Sequence, residues 1–98
     1  MEHRWGRRHQ VKEVVCVLHE GRTGTGRIHD ISLSGAWMGS SLPVQLLTQV
    51  RVGFPGRLAG TTVDWVPGTV VRTTQHGFAV EWHDLGHPAV QSLVAAKD

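Results

Sequence analysis

Apolar residues recur along the chain with a period of two in several short stretches and with helical spacing in one. Val50, Val52 and Phe54 alternate with Gln49, Arg51 and Gly53, which predicts a strand with one buried face over residues 49–54. Phe78, Val80 and Trp82 repeat that alternation over residues 77–82. Residues 11–18 are β-branched and apolar at both alternating positions, which predicts a strand covered on both sides. A turn at Glu20-Gly21 leads into a second strand over residues 22–29, where Gly24 and Gly26 mark a bulge or a bend. The polar turn of residues 30–35 precedes a short strand through Ala36, Trp37 and Met38. Residues 40–47, with Pro43, read as an irregular apolar connection, and Pro55-Gly56 ends the strand that follows. Residues 61–74 are rich in Thr and Val and carry Pro67-Gly68, so they form either one bent strand or two strands joined at a turn. Near the end, Pro88 suits a first helical position, and Leu85, Ala89, Val90, Leu93 and Val94 fall on one helical face. Lys97 complements the dipole at the helix end.

The sum is about six short, mostly antiparallel strands followed by one helix. Small glycine-bent sheets remove their exposed edges by closing on themselves. The fold class expected is therefore all-β, a small six-stranded antiparallel β-barrel with a C-terminal α-helix. Trp65 and Trp82 are assigned to its core. Residues 1–10 have no apolar periodicity, so they predict a mobile arm, with the barrel over 11–84 and the helix over 85–98 of a single domain.

Charge sharpens this picture. The formal net charge of the 98 residues is +2, and the arm alone accounts for it through Arg4, Arg7 and Arg8 against Glu2. The remaining seven Lys/Arg and seven Asp/Glu cancel. A neutral body with a basic tail suits a small anion better than long nucleic acid, which calls for a broad basic face. Cys16, the lone cysteine, sits in a strongly apolar run, which predicts a buried inert thiol and a reducing compartment. No apolar stretch approaches the ~20 residues of a membrane span. The expectation is a cytoplasmic protein without a membrane partner.

Two short stretches carry candidate chemistry. Arg4 and Arg8, with Arg7 beside them, present guanidinium forks that bond phosphate oxygens or the O6/N7 edge of guanine and stack on purines. Asp30 offers an acceptor for the N1–H and N2–H of guanine, Ser32 donates to a phosphate or braces the turn, and Gly35 leaves room for a flat base. Trp37, next to the turn, is a further candidate contact, and Trp5 travels with the arm. Each stretch also has a plainer reading, as a solvated tail and as a turn that caps its own amides. Other echoes are thinner. His83 and His87 lack a second ligand pair for zinc, residues 21–26 lack the Lys-Ser/Thr end of a phosphate loop, and Ser32 and Ser34 near His29 lack the strand-elbow-helix context of a hydrolase.

Arg4-x-x-x-Arg8 followed by Asp30-x-Ser32-x-x-Gly35 and a strand opening at Ala36 resembles the PilZ domain, a family of bacterial receptors for the second messenger cyclic di-GMP. The resemblance spans essentially the whole chain and implies a PilZ-type barrel with a nearby helix. It implies Arg4, Arg8, Asp30, Ser32 and Gly35 as ligand residues, with Arg7 and Trp37 as additional ones. Many members carry an arginine directly before the first motif, where this chain has His3. The function implied is a non-enzymatic receptor, without cofactor or metal, that signals to a downstream protein by ordering its arm over the barrel. Two competing readings are a protein-interaction adaptor with little nucleotide affinity and a barrel that binds single-stranded nucleic acid through arginines and exposed tryptophans.

Overall fold

The computed structural model describes residues 8–56 and 62–96. Arg4, Trp5, Arg7, His3 and Lys97, singled out above, lie outside the described residues. The element order is β1 (His9–His19), β2 (Arg22–Ile31), β3 (Gly35–Ser40), β4 (Gln49–Pro55), β5 (Val63–Thr74), β6 (Gly77–Trp82) and α1 (Pro88–Ala95). Every strand pairing is antiparallel. The order around the closed barrel is β1-β2-β3-β6-β5-β4, and β4 returns to β1 through Cys16↔Gly53, Val17↔Val52 and Leu18↔Arg51. Closure leaves no edge strand open among the described residues.

Alternation builds the interior. Val15 and Val17 of β1, Ile28 of β2, Met38 of β3, Val50, Val52 and Phe54 of β4, Val66 and Val70 of β5, and Phe78, Val80 and Trp82 of β6 form one buried cluster. Phe54 meets Trp82 edge-on, with ring centroids 6.0 Å apart, a favoured aromatic geometry. The helix joins the same cluster through Ala89, Val90, Leu93 and Val94. Pro88 opens the helix, and the Ala89 amide donates to Nδ1 of His87 at 3.1 Å, so His87 is its N-cap.

Four expectations shift, and the alternative left open over residues 61–74 is decided. His9 and Gln10, assigned to the arm, open β1, where they pair with Ile31 and Asp30. Residues 11–18 are covered on one side only, because a barrel wall has one interior: Val14 is 54% exposed and Cys16 is exposed rather than buried. Trp65 is 43% exposed; it stands on the outer wall over Gly53, where a side chain would collide with the indole at 2.9 Å. Leu85 is exposed and precedes the helix instead of lining its buried face. Residues 61–74 hold a single strand from Val63 with no turn at Pro67-Gly68. Proline is tolerated there because its side of the backbone faces His83, which donates to the Pro67 carbonyl at 3.0 Å. Position 67 lies just past the last β5–β6 pair, Gly68↔Trp82, so the missing N–H falls at the end of the ladder and not within it.

Candidate ligand-binding wall

Two irregularities decide what the wall formed by β2, β3, β6 and β5 presents. In β2, Gly26 and Ile28 point inward, and simple alternation would turn Asp30 inward as well. The β2–β3 register shifts by one residue between Ile28 and Asp30, leaving His29 as the extra residue. Ile31 is thereby fully buried and Asp30 stands outside. In β5, Asp64, Val66, Gly68 and Val70 point inward, and Arg72 would follow. A second shift between Val70 and Arg72 leaves Val71 extra and turns Arg72 out. Bulges re-aim side chains in this way and are frequent beside functional sites. One transverse row then runs over the outer wall, with Gln10 opposite Asp30, Asp30 opposite Trp37, Trp37 opposite Ala79, and Ala79 opposite Arg72. Ala79 is small enough for the Arg72 guanidinium to reach over the Trp37 ring, 5.9 Å from its centroid, a cation–π distance.

Arg8 lies two residues before Gln10, hence diagonally across from Asp30, within reach of a long side chain. Its Nη1 donates to Oδ1 of Asp30 at 2.6 Å, with the two side chains 49% and 27% exposed. The arm residue and the acidic residue, 22 positions apart, are therefore in contact.

Residues 32–34 form the turn, which is shorter than the stretch 30–35 because Asp30 and Ile31 belong to β2 and Gly35 to β3. The Ser32 amide donates to the Gly35 carbonyl at 2.8 Å, and the Ser34 amide donates to Oγ of Ser32 at 3.2 Å. The two serine hydroxyls are 3.1 Å apart. From beneath, Nε1 of Trp82 donates to the Ser32 carbonyl at 3.3 Å and the Trp82 amide to the Ser34 carbonyl at 2.9 Å. The Gly86 amide donates to the Leu33 carbonyl at 3.2 Å. Six bonds hold so short a segment rigid. Ser32 is buried and its hydroxyl braces the turn. Gly35 has a more direct reason than room for a base, since a Cβ there would sit 2.3 Å from the Val80 carbonyl of β6.

Beside the turn is an open cleft of about 470 Å³ lined by residues of the turn, β3, β5 and β6 together with Arg8. Of the residues expected from the sequence, Arg8, Ser32 and Gly35 line it. Asp30 adjoins it through Arg8, whereas Trp37 lies under Arg72 and is not part of the lining. Ser34, Arg72 and Glu81 line it too and were missed. For Arg72 and Glu81 the signal was outward position on neighbouring strands, which needs the strand order and the bulge at Val71 to be read; Ser34 stands in the turn itself. Elsewhere, His83 is bonded to the Thr69 hydroxyl at 3.0 Å and His87 caps the helix; among the described residues no group of three or more His, Cys, Asp or Glu is placed to hold a metal. No helix among them is long and apolar enough to cross a membrane.

No curated protein matches the chain. The family model described as PilZ domain matches residues 2–96, a span that takes in both motifs, all six strands and the helix. With a match of that extent, the chain belongs to the PilZ domain family.

Proposed function

We propose that this chain is a cyclic di-GMP receptor, non-enzymatic, whose ligand docks on the wall between the turn of residues 32–34 and β5. The observation that carries the reading is the contact between Arg8 and Asp30 at the mouth of the cleft. Cyclic di-GMP presents two phosphates and two guanines. Arg8 matches a phosphate or a guanine O6/N7 edge with a planar fork of donors, and Asp30 matches N1–H and N2–H. Both groups are partly exposed, and ion pairs of that kind contribute roughly 0–1 kcal/mol. Opening the pair to admit a ligand is therefore cheap, while the pair keeps both groups at the site beforehand.

Arg4 and Arg7 supply further cationic forks from the arm. Fixing each arm residue on the ligand costs about 1–2 kcal/mol of chain entropy, and each charge-assisted hydrogen bond returns roughly 1.5–3 kcal/mol. Without ligand those bonds are absent and ordering the arm is opposed; with ligand they offset its entropy, so the arm is free without ligand and docked with it. That is the property of a switch, and the reshaped surface is what a downstream protein would read. Titration calorimetry of cyclic di-GMP into the intact chain tests this. Saturable heat that falls at least ~10-fold in affinity in Arg8→Ala and Asp30→Ala is the expected result. A folded wild-type chain that gives no heat overturns it.

A further inference from the structure

Glu81 lines the same cleft as Arg8 and Arg72 and has no assigned role. It stands on the outer face of β6, opposite Gly35 on one side and Thr69 on the other. Thr69 gives its hydroxyl to His83 at 3.0 Å, and Arg72 is drawn over Trp37. Among the described residues the Glu81 side chain makes no hydrogen bond or ion pair. A carboxylate that lines a cleft for a dianion repels it, unless the carboxylate meets hydrogen-bond donors on the ligand. Guanine carries such donors, N1–H and N2–H, side by side; adenine lacks that pair.

We infer that Glu81 and Arg72 form a second guanine seat at the far side of the cleft, with Glu81 accepting from the Watson–Crick edge and Arg72 stacking on the base from its place over Trp37. The chemistry repeats that of Arg8 and Asp30, an arginine and a carboxylate, here on the neighbouring strands β5 and β6 that line one cleft. A ligand with two identical bases meets two like seats. The bulges at His29 and Val71 bring this about, since each turns one member of a seat outward. Glu81 is then the residue that sets preference for guanine at the second base, and Arg72 is the residue that holds that base flat.

This inference rests on the cyclic di-GMP reading, and the experiment separates the two. Cyclic di-GMP and cyclic di-AMP are each titrated calorimetrically into the full chain, as wild type, Glu81→Gln and Arg72→Lys, with thermal melts showing that the exposed substitutions leave the fold intact. The expected result is a roughly tenfold weaker affinity for cyclic di-GMP in both variants. In Glu81→Gln the preference over cyclic di-AMP narrows as well; in Arg72→Lys it does not, because a lysine keeps the charge and loses the stacking plane. If wild type binds cyclic di-GMP and Glu81→Gln binds it equally or more tightly with the same preference, Glu81 only repels the ligand and the second seat is wrong. If wild type binds neither dinucleotide, the receptor reading fails and takes this inference with it.

Discussion

Substituting Gly35 by alanine tests how the turn, the cleft and the barrel depend on one another. A Cβ at position 35 would lie 2.3 Å from the Val80 carbonyl oxygen, whereas a carbon–oxygen contact is comfortable at about 3.3–3.6 Å. The start of β3 must therefore move about 1 Å from β6. The backbone on both sides is committed. Gly35 pairs with Glu81, and the Trp82 amide holds the Ser34 carbonyl at 2.9 Å. Overpacking of this kind costs about 1–3 kcal/mol, which in a domain of this size lowers Tm by roughly 4–8 °C per kcal/mol. Since the displacement falls on the cleft lining, cyclic di-GMP affinity falls with it. Scanning calorimetry and ligand titration of Gly35→Ala measure both, with Gly21→Asn as the control. Gly21 has φ +79° and a Cβ there would meet nothing within 4 Å, and asparagine tolerates that conformation. A Gly35→Ala protein with unchanged Tm and unchanged affinity refutes the steric reasoning. A drop in the control as large as that in Gly35→Ala would do the same.

Other consequences follow from the same geometry. Trp82→Phe removes the indole N–H that serves the buried Ser32 carbonyl; leaving that acceptor unpaired costs about 1–3 kcal/mol, read as a lower Tm, and an unchanged melt would count against the indole as the brace. Cys16 is exposed on the outer wall, so a thiol reagent should label it in the folded protein nearly as fast as in denaturant. Labelling that waits for unfolding would place it in the interior. His87→Ala removes the helix N-cap and should cost about 0.5–2 kcal/mol of stability without altering the cleft, measured by denaturant unfolding beside a ligand titration.

The fold was largely legible because alternation and turn chemistry agree along most of the chain. Residues 49–54 and 77–82 alternate in the sequence and in the barrel, and Pro88 opens the helix as its position suggested. Arg8, Asp30, Ser32 and Gly35 were legible as a motif, and the structure places them around one turn. What escaped depends on counting across strands. The bulges at His29 and Val71 leave no mark in composition, yet they decide that Asp30 and Arg72 face outward. Gly24 and Gly26 looked like the bulge in β2; Gly26 instead relieves crowding, since a Cβ there would lie 3.3 Å from both Met38 and Val17. Cys16 and Trp65 were misplaced for one reason. Apolar side chains on a barrel's outer face look like core until closure shows that the wall has a single interior.

The central claim is that the ligand is held on one wall, by the groups that Arg8, Asp30 and the turn of residues 32–34 bring together. Amide chemical-shift mapping in a cyclic di-GMP titration tests it most directly. The predicted result is saturable shifts at Arg8, Asp30, Ser34, Gly35, Arg72 and Glu81, with Cys16, Gly53 and Trp65, which share a row centred on β4, unmoved. Shifts centred on Cys16 and Trp65, or none at millimolar ligand, would contradict it.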